Sequence, residues 1–199
     1  MRLRATHLAG AVIASAGLGI GAVAISSGAG AHENEAQATL YSTTGIEIGK
    51  VDFSTDDGHT KVRVHLDSAP GVDAFHGFHI HANNNPSNGD GCIASGNFVS
   101  ADGHWKLAGE THGHHQGDMP SVYVNGDGSA DSRFTLDRFD PADLPGKVVI
   151  LHAGADNFGN VPVGIALDQY TANGQAALDA TAATGNAGAR VACGVISQG

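Results

Sequence analysis

A chain of 199 residues with a formal charge of −10 at neutral pH has room for one well-filled domain and a tail, but not for two. So acidic a protein is excluded as a binder of nucleic acid or of anionic membrane surfaces. Glycine, at 29 residues against six prolines, suits a turn-rich β protein with long ordered loops better than a helical bundle.

Residues 1–31 read as an export signal. Arg2 and Arg4 supply a positive start, Leu8 to Ile25 an apolar run, and Ala29-Gly30-Ala31 a small-x-small cleavage site. The competing reading is a membrane anchor, but glycine, alanine and serine dilute the run, so cleavage without stable membrane insertion is expected. Cleavage removes two cations and no carboxylate, taking the charge from −10 to −12. It also makes His32 the new N-terminus, where an amine and an imidazole together resemble the terminal copper chelate of some oxidases and carriers. The expected location is outside the cytoplasm: secreted, periplasmic or in the cell envelope. The two cysteines there, Cys92 and Cys193, imply a single disulfide. It would close a loop of roughly 100 residues, worth about 4–5 kcal/mol in the chain-entropy picture.

Strand-like alternation begins at Ala38–Ser42 and Ile46–Phe53, and Asp56-Asp57-Gly58 signals a hairpin turn. Over Thr60–Leu66, Val62, Val64 and Leu66 share one face and Lys61, Arg63 and His65 the other. A strand over His76–Ala82 places His79 and His81 on one side and Phe78 and Ile80 on the core side. From Asn83 to Gly117 periodicity stops, and loops this long are functional or disordered. Strands resume at Ser121–Val124, Ala130–Leu136 after the Asn125-Gly126-Asp127-Gly128 turn, Lys147–His152 and Arg190–Ser197. A second long loop covers Ala153 to Ala189, with room for a helical turn in the alanine-rich Ala166–Ala183. Eight short strands and two long loops describe an all-β antiparallel sandwich or barrel.

Two imidazoles on one strand face are half a chelate for copper, zinc or nickel. His104, then His112, His114, His115 and Asp118, then His152 extend the series through separate regions of the chain. Elsewhere, His59 and His65 read as solvent-exposed, His76 as a hydrogen-bonded structural histidine, and Phe98 and Trp105 as loop-packing anchors.

Gly77-Phe78-His79-Ile80-His81, Gly91-Cys92, Gly103-His104, His115-Gln116-Gly117-Asp118, His152-Ala153-Gly154-Ala155-Asp156-Asn157 and the segment from Thr184 through Arg190 and Cys193 to Ile196 occur in that order. Together they closely resemble the copper,zinc superoxide dismutases, in a secreted bacterial form, over nearly all of residues 32–199. The resemblance implies an eight-stranded antiparallel Greek-key β-barrel and an enzyme that converts superoxide to oxygen and hydrogen peroxide. It implies His79, His81, His104 and His152 as copper ligands, with His104 bridging to zinc and a catalytic role for it and Arg190. His112, His115 and Asp118 would complete the zinc site, and Asp156 would join a copper-ligand histidine to a zinc-ligand one. Cys92–Cys193 would pin the first loop to the barrel.

The spacing from His104 to Asp118 is shorter than in most of the family, and some relatives with shortened loops carry copper alone. His112 and His115 are preferred over pairs that use His114, a choice the sequence leaves open. The second loop lacks the lysines that attract superoxide in many members, so Arg190 and copper must supply the local attraction. A non-enzymatic copper carrier on the same scaffold is the alternative, but it would need neither Asp156 nor Arg190. Family members differ in oligomeric state, and a homodimer is compatible with the sequence.

Overall fold

The computed structural model describes residues 35–157 and 175–199; the expected export signal, His32 and most of the second loop's first half lie outside them. The strands are β1 (Ala36–Ser42), β2 (Glu47–Asp56), β3 (His59–Leu66), β4 (Ala74–His81), β5 (Asp118–Val124), β6 (Ala130–Leu136), β7 (Val148–His152), β8 (Arg190–Val195) and the short β9 (Ser197–Gln198). All pair antiparallel in the order β5-β4-β7-β8-β1-β2-β3-β6, with β9 against the start of β1. The two ends of this path, β5 and β6, are consecutive in sequence and in contact. The sheet therefore curls into a nearly closed barrel, the all-β architecture expected from the strand count.

Local chemistry explains the register. At the β2–β3 turn, Asp57 and Gly58 have φ of 51° and 81°, the left-handed pair of a turn whose twist matches the flanking strands. With that turn fixed, Val62, Val64 and Leu66 all point into the core, joined there by Leu40, Phe53 and Phe78. β1, β4 and β5 each begin two or three residues before the expected start. In β5 the reason is pairing: Met119 and Asp118 lie opposite Phe78 and His79, although Asp118–Pro120 carries no alternation.

The wall that matters is β4–β7–β8, buried on both sides. Phe78, Ile80, Val149, Leu151 and Ala192 face the barrel core. On the other side, Val148, Ile150 and Cys193 form a second cluster with Phe98 and Ala101 of the first long loop, so Phe98 is the packing anchor expected. The Cys92–Cys193 disulfide, 101 residues apart in sequence, ties that loop to β8. One correction concerns the second loop: a ten-residue helix, α1 (Gln175–Thr184), stands where only a helical turn was expected. Alanine-rich sequence favours helix intrinsically. Among the described side chains of the helix there is no broad apolar stripe, and Thr181 is the buried one.

Replacing both cysteines by serine should lower the unfolding free energy of the metal-free protein by about 2–5 kcal/mol. Urea titration measures this, and an unshifted midpoint would mean that the second cluster alone secures the loop.

Candidate metal centre

The ladder brings the histidines together. His79 and His81 stand opposite Ile150 and Val148, and His152 ends β7 beside Arg190, the first residue of β8. His104 arrives from the first long loop through an antiparallel bridge to His81. Trp105 N–H donates to Ile80 O at 2.9 Å, and Ile80 N–H donates to Gly117 O at 2.8 Å. Both ends of the short His104–Asp118 loop are thus tied to one residue of β4. A Cβ on Gly117 would overlap the Ile80 carbonyl, so this close approach needs glycine.

Burial is nearly complete: His79, His81, His104, His112, His115, His152 and Asp118 are all at most 8% exposed. In His81 and His152 one ring nitrogen is already committed to a backbone carbonyl. His81 Nδ1 pairs with Asp102 O at 2.8 Å and His152 Nδ1 with Gly188 O at 3.1 Å. His79 Nε2 lies 3.0 Å from Asp156 Oδ1. Because the carbonyls take Nδ1–H of His81 and His152, the lone pairs of those rings sit on Nε2, and the carboxylate facing His79 Nε2 favours a lone pair on His79 Nδ1. Those three atoms and His104 Nε2 are buried with no hydrogen-bond partner. Ligand atoms of the four residues lie within 4.8 Å of one another. Four unpaired lone pairs facing one point, each costly to bury alone, fit a copper ion, which favours imidazole.

A second set lies behind His104. Its Nδ1 is 3.0 Å from Asp118 Oδ1 and 3.2 Å from His115 Nδ1. His112 Nδ1 and His115 Nδ1 are each 3.3 Å from the same carboxylate oxygen. Tetrahedral zinc with bonds of about 2.0–2.1 Å sets its ligands about 3.3 Å apart, so this set fits zinc. His104 belongs to both groups, one ring nitrogen turned to each. His114 is exposed and outside the set, while His112 and His115, the pair preferred from the sequence, both face the Asp118 carboxylate.

Asp156, its side chain fully buried, has Oδ1 3.0 Å from His79 Nε2 and 3.7 Å from His112 Nε2. It spans the two groups, and Ser121 Oγ donates to its other oxygen at 3.0 Å. The Arg190 guanidinium donates to Phe98 O and Asp102 O, which aims it along the His81–His152 side. His76 is buried, with Nδ1 2.6 Å from His152 O and Nε2 2.6 Å from Gly71 O. His59 and His65 are about half exposed. The sequence reading missed Asp102 and Ser121. Asp102 sits at φ 62°, and its carboxylate collects Asn84 N–H, Asn85 N–H and Asn88 Nδ2. An Asp-Gly pair next to a ligand histidine was the available signal.

Residues 47–196 match the family model for copper/zinc superoxide dismutase (SODC). The chain belongs to the copper/zinc superoxide dismutase family. It is 38% identical over 178 residues to the "Superoxide dismutase [Cu-Zn]" of Mycobacterium tuberculosis and of Mycobacterium bovis, covering 81% of this chain and 70% of each relative. Among solved structures, the Cu/Zn superoxide dismutase from Brucella abortus superimposes with a TM-score of 0.56 at 26% identity, covering 81% of this chain and 99% of that one. The clock protein EA4 gives 0.60 at 25% identity, covering 83% and 95%.

In this copper/zinc superoxide dismutase, burial sets the protonation chemistry of the histidines. Desolvation, reinforced by His79, lowers the His152 pKa from 6.5 to about 3. Desolvation outweighs the Asp118 contact and lowers His104 to about 4. Burial alone would raise the Asp118 pKa, but hydrogen bonding with His104 and His112 outweighs it and holds the carboxyl well below the usual range. Lowered histidine pKa values mean that the unfolded chain takes up protons first as pH falls. The stability of the metal-free protein should therefore be level above the unfolded histidine value of 6.5 and decline as pH drops toward about 4. Urea midpoints in a strong chelator from pH 8 to 4 measure this, and a midpoint level from pH 7 to 5 would contradict it.

Proposed function

We propose how this superoxide dismutase divides its work among its own residues. The enzyme converts two superoxide anions and two protons to oxygen and hydrogen peroxide, the reaction of the family to which it belongs. It takes copper and zinc. His79 Nδ1, His81 Nε2, His104 Nε2 and His152 Nε2 would hold copper, and the Nδ1 atoms of His104, His112 and His115 with Asp118 Oδ1 would hold zinc. The observation that carries this reading is the set of four buried ring nitrogens without a hydrogen-bond partner, on rings whose other nitrogen meets a carbonyl in His81 and His152 and faces a carboxylate in His79 and His104.

Bound copper supplies a one-electron couple, and bound zinc a fixed charge behind His104. The protein does the rest. Arg190 receives the anion, since its guanidinium stays charged and is held by two carbonyls rather than swinging free. His104, with a ring nitrogen on each side, can hold a proton at Nε2 and hand it to the reduced oxygen species. Asp156 keeps His79 and His112 oriented through one carboxylate. Asp102 ties the loop carbonyl that orients both His81 and Arg190. A copper carrier has no use for a fixed anion guide, which supports the enzyme over that alternative.

The disulfide fits an oxidising compartment, and we assign residues 1–31 as the leader that sends residues 32–199 there. No helix among the described residues is long and apolar enough to cross a membrane. Mass spectrometry of protein recovered from the culture medium or envelope tests the assignment: a mature chain that still carries residues 1–31 removes it.

Two predictions follow from the roles. Arg190→Ala should slow superoxide consumption by about 10-fold or more and flatten its fall with rising ionic strength; equal rates for the two proteins, near that of free copper, would point to the carrier. Metal analysis should find zinc lost from His115→Ala and kept by His114→Ala, with the reverse pattern rejecting the zinc set.

A further inference from the structure

We propose that Arg138, in the connection from β6 to β7, is a positioning residue for the zinc half of the centre. It holds the turn that carries His112 and His115, and so determines how tightly zinc is retained. The proposal rests on the zinc assignment above.

Arg138 Nη1 donates to His115 O at 2.8 Å, and Nη2 donates to Gly113 O at 2.7 Å. From the other direction, Asp118 Oδ2 accepts Gly113 N–H at 2.6 Å and His115 N–H at 3.1 Å. The same two residues are gripped at both polar ends, their N–H groups by a carboxylate and their C=O groups by a guanidinium. His112 enters this turn and His115 leaves it. With the turn fixed, Nδ1 of each ring stands 3.3 Å from Asp118 Oδ1. Gly113, at φ 94°, turns its carbonyl toward the arginine in a conformation other residues resist.

Other ties hold the loop elsewhere: Glu110 receives Leu107 N–H and Gln116 Nε2, His112 N–H reaches Ala182 O at 2.7 Å, and His114, Gly117 and Asp118 N–H donate to Thr111, Trp105 and His115 carbonyls. Among the described residues, Arg138 is the side chain whose donors reach the Gly113 and His115 carbonyls. A planar fork can hold two carbonyls in one geometry, and a lysine cannot. Arg138 is exposed, and a cavity of about 210 Å³ bounded by Gly113, Asp118, Met119, Pro120, Leu136 and Arg138 adjoins the turn. Water can therefore replace the guanidinium at both carbonyls, so its loss should free the turn without unfolding the barrel.

Electrostatics and positioning predict opposite signs. A cation beside a zinc site repels the metal, so removing the charge of Arg138 should by itself tighten zinc binding. Loss of the clamp should weaken it. The test uses the mature copper- and zinc-loaded protein and its Arg138→Met and Arg138→Lys variants, with Arg133→Met as a charge control on β6. Zinc transfer to a chromophoric chelator, the visible spectrum of cobalt in the zinc position and copper retention are measured on each, and the urea midpoint on the metal-free form of each, where zinc affinity cannot shift it. Both Arg138 variants should bind zinc about 10–100-fold more weakly and alter the cobalt bands, with copper retention and the midpoint unchanged. Lysine should not rescue, and Arg133→Met should match the parent. Zinc held by Arg138→Met as tightly as by the parent, or more tightly, overturns the proposal. So does loss of both metals with a fallen midpoint, which would make Arg138 a general structural residue. A parent that takes up no zinc would instead refute the zinc assignment itself.

Discussion

An imidazole nitrogen buried without a partner is a standing cost, and this protein places four of them around one point. Everything around the centre serves to impose that arrangement. A carbonyl or carboxylate takes the other nitrogen of His79, His81 and His152, so the rings cannot relieve the cost by turning over. The strands beneath are packed on both sides, so the backbone cannot relieve it by moving away. Only a cation that accepts the lone pairs offsets the penalty. The centre is built at the expense of the metal-free fold, as is usual for sites whose ligands must be desolvated before the ion arrives.

Much of this was legible because one short period, that of the strand, was in force. Alternation along β3 and β4 is a local property, so the facing of Val62, Val64, Phe78 and Ile80, and of His79 and His81 opposite, followed from spacing of two. The Asp57–Gly58 turn was legible for an equally local reason. His112 and His115 could be preferred over His114 only through resemblance, and the fold supplies the cause: the turn at Gly113 sends His114 outward and its two neighbours in. The parts that were not legible depend on contacts distant in sequence. Nothing near Asp102 announces that its carbonyl will serve both His81 and Arg190. Nothing near Asp118–Pro120 announces pairing with β4, and α1 has helix propensity without the apolar stripe that would reveal it.

The two halves of the centre have different kinds of support. Three of the copper-side histidines come from core strands whose positions are set by barrel packing. His112 and His115 come from a loop whose apolar anchor, Trp105, lies at its start against Phe139 and the barrel core. It is organised by hydrogen bonds to Asp118, Ala182 and Arg138. His104 joins them, anchored to β4 by a bridge and facing the loop with its other nitrogen. A short loop can carry a well-defined tetrahedral set only if polar ties replace the apolar contacts that a longer one would make.

The cross-link at Cys193 lies three positions along β8 from Arg190, and the loop it secures carries the two carbonyls, of Phe98 and Asp102, that hold the guanidinium. With both thiols reduced, the rings on β4 and β7 would stay seated on the barrel wall, while the loop that reaches His81 and Arg190 through one carbonyl would keep only its apolar anchor. Oxidation of a single pair of sulfurs therefore bears on an imidazole and a guanidinium at once, and neither can be tuned without the other.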